Sequence, residues 1–136
     1  MLRRHVRPAE RIYVSGAADA HYWPGLPVLE GEGTPPPLAT WAQRSPGAAR
    51  LRVALRQRGI CWIVDEETGA ALIPGLLPRY DAWTPRALLV WRTCAARYLR
   101  RLGSVGDAAG RYTLWALGAR PHRPVALGRL PGTGYR

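Results

Sequence analysis

Apolar residues along this chain recur at two different periods, and the change from one to the other is marked by capping residues. From Ser45 to Asp65, Ala48, Leu51 and Leu55 fall on one face of a helix, and Ile60 to Val64 is then a continuous apolar run, rich in β-branched and aromatic residues, that ends on an acid. Ser45 is placed to cap that helix, Pro46 suits its first turn, and Gly59 suits the left-handed residue that closes it. Upstream, Arg11 to Ser15 sets Ile12 and Val14 against Tyr13 at the period of a strand. Strand, helix and strand form a βαβ unit, which predicts a small α/β domain with a mixed sheet.

The second half carries the stronger helix signal. Thr84 caps and Pro85 starts a segment in which Leu88, Trp91, Ala95, Tyr98 and Leu102 make an apolar stripe, with Arg86, Arg97, Arg100 and Arg101 away from it. Arg100 and Arg101 are expected to face the negative end of the helix dipole, with Gly103 as the stop. Gly103 to Ala108 and Arg111 to Leu117 then read as a closing hairpin through Asp107 to Gly110. Leu38 to Arg44 predicts a short helix packing Leu38, Trp41 and Ala42. Ala17 to Pro37, punctuated by proline and glycine, reads as a long loop, and Asp65 to Gly69 as an acidic turn before a broken apolar stretch, Ala70 to Leu77. The expected organisation is a flexible basic leader over 1–8, an α/β domain over 9–118 with two main helices, and a disordered Arg/Pro/Gly-rich tail over 119–136.

Composition changes this picture in one respect. A net charge of +11 suggests nucleic acid or an anionic membrane surface as partner. All 20 basic residues are Arg, however, and Lys, Asn and Phe are absent, as a GC-rich coding sequence would produce. The arginines are spread over elements and tails, without stacking aromatics on one strand face, which weighs against nucleic acid. No apolar run reaches the ~18 residues that cross a bilayer, and Pro8, Glu10 and Arg11 interrupt the place where a signal peptide would be apolar. Expressed alone, the chain is expected in the cytoplasm.

Chemistry-bearing residues are few. In an open parallel sheet ligands bind beyond the carboxyl ends of the strands, and those ends supply Asp19 and His21 after the first strand and Asp65, Glu66 and Glu67 after the second. A metal site or an acid/base pair can be drawn from Asp19, His21, Asp65 and Glu66, but their spacing matches no metal signature, and solvated acids at a strand-to-loop turn that partly balance neighbouring Arg side chains are the preferred reading. Gly16 lacks the further glycines of a dinucleotide loop, and Ser15, Ser45 and Ser104 form no nucleophile elbow. Cys61 reads as a buried strand residue and Cys94 as a helix residue beside the apolar stripe; nothing pairs them, and nothing places Cys94 near His21 or His122 as a thiol dyad. Tyr22, Trp23, Tyr80 and Trp83 flank proline-rich or turn segments, as lids on the core or as a contact surface for sugar or lipid, while Trp41, Trp62, Trp91 and Trp115 read as core or core-edge residues. No catalytic residue, cofactor or metal is assigned.

Four segments, in order, carry a resemblance: Arg11-Ile-Tyr-Val-Ser-Gly16 with the aromatic loop His21-Tyr-Trp-Pro-Gly25; the helix and strand Leu51 to Val64; Tyr80-Asp-Ala-Trp-Thr-Pro-Arg86; and Gly110-Arg-Tyr-Thr-Leu-Trp-Ala-Leu117. Together they resemble the C-terminal soluble domain of bacterial membrane glycosyltransferases that use polyprenyl-phosphate sugars, the group related to protein mannosyltransferases and lipid A aminoarabinose transferases. The resemblance implies an accessory domain that packs on a transmembrane part or positions an acceptor, on the periplasmic or outer side of the membrane. In that family acidic residues in loops between transmembrane helices handle donor and acceptor, and this chain contains neither, so no catalytic residue carries over. The expectation is a detached domain or a truncated frame without chemistry of its own, with an Arg-rich nucleic-acid-binding protein as the alternative.

Overall fold

A computed structural model describes residues 10–15, 28–30, 37–66, 83–107, 110–127 and 130–132. In chain order these form β1 (Arg11–Ser15), β2 (Val28–Glu30), α1 (Pro37–Arg44), α2 (Ala48–Gln57), β3 (Ile60–Glu66), α3 (Pro85–Tyr98), β4 (Leu99–Asp107) and β5 (Gly110–Leu117). The five strands make one mixed sheet in the order β2-β1-β3-β5-β4. β1 runs parallel to both β2 and β3, and β5 is antiparallel to β3 and β4. The expected α/β class, βαβ unit and closing hairpin are all present.

Strand alternation splits the core between the two faces of the sheet. On one face Tyr13, Ile63 and Leu117 meet Leu38 and Ala42 of α1, Leu51 and Leu55 of α2, and Trp91, Cys94 and Ala95 of α3. On the other, Ile12, Val14, Val64 and Leu114 form a smaller cluster with Trp62, Leu102 and Tyr112 against it. All three helices contribute to the first cluster, so they form one layer on one face.

The helix boundaries follow local hydrogen bonding. Thr84 Oγ1 accepts from the Ala87 N–H at 3.1 Å, as its capping position predicts. Ser45 does not cap α2. Its hydroxyl donates back to the Trp41 carbonyl at 2.8 Å, closing α1, and α2 starts from an extended Gly47 with no side-chain cap. A hydroxyl four residues past a carbonyl competes for it in this way. Gly59, at φ 79°, makes the left-handed turn from α2 into β3.

Two segments differ from their sequence reading. The stretch expected as loop over 17–37 contains β2, too short to show a period but paired in register with Ile12 to Val14. The helix expected to run to Gly103 ends at Tyr98, and Leu99 is already extended and paired with Leu117. Arg100 and Arg101 therefore lie on an edge strand, away from the helix dipole, and Leu102 joins the second cluster. The ladder with β5 outweighs a helical periodicity that no breaker interrupts before Gly103.

The tail expected to be disordered from 119 onward is tied down where it is described. Gly118 N–H donates to the Tyr98 carbonyl, His122 N–H to Arg97 and Val125 N–H to Ala96, while His122 Nε2 donates to the Leu99 carbonyl. These carbonyls belong to the last turn of α3 and its exit, which have no partner inside the helix. Backbone capping gives order here that apolar content would not. Beyond it, Pro131 and Gly132 are buried, and Trp91 Nε1 donates to the Pro131 carbonyl.

Candidate functional site at the carboxyl ends of the strands

The register places four polar residues in one row across the sheet: Ser15 of β1 beside Asp65 of β3, Asp65 beside Thr113 of β5, and Thr113 beside Ser104 of β4. Asp65 and Thr113 are each only 3% exposed. Each lies two residues along its strand from a residue of the main core, Ile63 and Trp115, so both point toward the helical layer. Gly132 comes down on this row, and its N–H donates to Asp65 Oδ1 at 3.3 Å. Ser104 and Thr113 share a hydrogen bond at 3.1 Å, and Arg101 Nη2 donates to Ser104 Oγ at 2.6 Å.

Asp65 therefore lies within β3, where an acidic turn was expected. A buried carboxylate is tolerated only when hydrogen-bonded, and the C-terminal segment supplies such a bond. Glu66 ends the strand opposite Tyr112. Asp19, His21, Tyr22, Trp23 and Tyr80 lie outside the described residues. Trp83 is buried in the main core. Among the described residues no three of His, Cys, Asp and Glu gather closely enough to hold a metal ion.

The row contains an acid and hydroxyls, yet its geometry fastens more than it reacts. Ser104 hydrogen-bonds to a cation and a hydroxyl, an arrangement that does not raise its nucleophilicity. The two thiols are no better placed. Cys94 is fully buried and burial pushes its pKa up to about 12, opposed weakly by Arg52. Cys61 is also shifted upward by burial, and Arg56 Nη1 donates to its sulfur at 2.9 Å. Both are free cysteines. Thiols held protonated are poor nucleophiles.

The second feature is electrostatic and belongs to the helical layer. None of the nine acidic residues falls in α1, α2, α3 or the segment from 118 to 127. The helices carry Arg44 on α1, Arg50, Arg52 and Arg56 on α2, and Arg86, Arg92 and Arg97 on α3. Arg52 is drawn inward, donating to the Gly118 carbonyl and lying 5.9 Å from the centre of the Tyr98 ring. Arg50, Arg56, Arg86, Arg92 and Arg97 are exposed. The arginines themselves are spread over helices, strands and both ends of the chain; what sets the helices apart is that they carry no acid.

Compared with known protein families, curated proteins and solved structures, the chain finds no match. No helix among the described residues is long and apolar enough to cross a membrane.

Proposed function

We propose that this chain is an accessory extramembrane domain, without catalysis of its own, of a membrane glycosyltransferase-like protein. The observation supporting this reading is a juxtaposition. Three of the segments that carry the resemblance contain β1, β3 and β5, which are direct neighbours in the sheet. The fourth opens α3 at Thr84 and Pro85, and there Arg86 donates to the Gln43 and Ser45 carbonyls at 2.9 Å each, joining it to the end of α1. Segments distant in sequence thus belong to one folded unit, three side by side in the sheet and the fourth in the helical layer. Such a unit suits packing against a membrane part, or positioning an acceptor, on the periplasmic or outer side.

The test is an immunoblot of fractionated source cells with an antibody raised against this chain. A membrane-pelleted band far larger than 15.0 kDa supports the reading. A single soluble band of that mass overturns it.

A further inference from the structure

Each of the two longer helices exposes an apolar side chain between two arginines at the spacing of one helix face. On α2 the trio is Arg50, Val53 and Arg56; on α3 it is Arg86, Leu89 and Arg92. Positions i−3, i and i+3 share a face. Val53 is 37% exposed and Leu89 65%, and Val125 of the C-terminal segment, which hydrogen-bonds to the end of α3, is 49% exposed. These are the exposed large hydrophobic residues among those described, and all three belong to the helical layer and the segment attached to it.

Base composition does not account for this arrangement. A GC-rich gene explains why the basic residues are arginine, but Asp and Glu codons are available to it, and nine acids occur elsewhere in the chain. Their exclusion from all three helices leaves the charged side chains of those helices all of one sign.

From this we infer that the surface of the helical layer turned away from the sheet docks on an anionic lipid bilayer. Arg50 and Arg92 meet headgroup phosphates while Leu89, with Val53 and Val125, enters the boundary with the acyl chains; Arg56 and Arg86, which donate to Cys61 Sγ and to the Gln43 and Ser45 carbonyls, add charge beside them. Cations flanking an exposed aliphatic residue on a helix are the pattern of interfacial binding. Single-stranded nucleic acid fits less well, because it needs exposed aromatic rings for stacking, and every aromatic residue among those described is buried or half-buried. The inference rests on the surface alone and does not require the glycosyltransferase reading.

Flotation of the full chain with phosphatidylglycerol-containing vesicles, against pure phosphatidylcholine, tests it. Binding to the anionic vesicles alone, weakening as salt rises above ~0.15 M, is expected. Arg50→Ser and Arg92→Ser should each reduce it about fivefold. Leu89→Ser should reduce it about tenfold, through loss of apolar burial rather than charge. As a readout independent of any loss of stability, Leu89→Cys labelled with an environment-sensitive dye should shift to the blue on adding anionic vesicles; both native cysteines are buried and leave position 89 as the reactive thiol. Equal binding to neutral and anionic vesicles, or none to either, overturns the inference. So does binding to mixed-sequence RNA that Leu89→Ser leaves unchanged while anionic vesicles fail to compete, which establishes a nucleic-acid surface instead. Neither result bears on the size and fractionation of the native polypeptide.

Discussion

The N–H of Gly132 donates to the buried carboxylate of Asp65, 67 residues earlier in the chain. A segment with little apolar content thus closes over the sheet at its polar row, and the two ends of the contact depend on each other. Removing either partner leaves a buried polar group without this bond, at a cost of about 1–3 kcal/mol. Asp65→Ala and truncation after Gly118 should each lower unfolding free energy by at least that much. Their effects should be less than additive when combined, which denaturant titrations of the four chains would measure.

Gly132 is also confined by shape. It has φ +82°, and a Cβ there would lie 3.0 Å from Leu38 Cδ2 and 3.3 Å from Trp91 Cζ2. Gly132→Ala should therefore destabilise by about 1–2 kcal/mol through backbone conformation alone, and thermal melting would show a lowered Tm. A Tm equal to that of the parent would mean that this segment does not seat on the core.

Tyr13 takes a fixed hydroxyl into the core to accept from the Leu38 N–H at 3.2 Å, in the first turn of α1, with its ring edge-on to Trp41. Tyr13→Phe keeps the packing and orphans that N–H. The expected loss is about 1–2 kcal/mol. Thr84→Ala, which removes the cap on the Ala87 N–H, should cost about 1 kcal/mol, and the same titrations measure both.

Alkaline pH should expose the buried thiol. Cys94 sits at about 12 against an ordinary 9.0, so from pH 9 upward the unfolded chain releases a proton that the folded chain keeps. The stability this contributes is fully present below pH 9 and falls as pH rises toward 12. Burial shifts Tyr13 in the same direction. Stability measured against pH should slope downward in this window, and less steeply in Cys94→Ala. Native Cys94 should resist alkylation until the chain unfolds.

What the sequence made legible was whatever is decided locally. Thr84 with Pro85 marked the start of α3, Gly59 the end of α2, and the alternation of Ile12, Tyr13 and Val14 the two faces of β1. Features decided by partners far along the chain were not. Val28 to Glu30 is a strand because β1 lies beside it, and Leu99 leaves the helix because Leu117 pairs with it. Asp65 resembled a solvated turn residue because its partner, Gly132, is in a segment whose composition suggested disorder. Ser45 was misassigned for a nearer reason: the carbonyl of Trp41 lies within reach of its hydroxyl.

Every open sheet has two edges that can recruit a strand from another molecule. Here one edge is β2, only three residues long. The other, β4, is nine residues long, but it carries exposed Arg100 and Arg101, two glycines, and a shift of register between Arg101 and Gly103 that breaks its flat line of amides. Short length, like charges and a bulge each discourage edge-to-edge pairing. The arginines of β4 thus act as gatekeepers, working against the sheet of one copy continuing into the next.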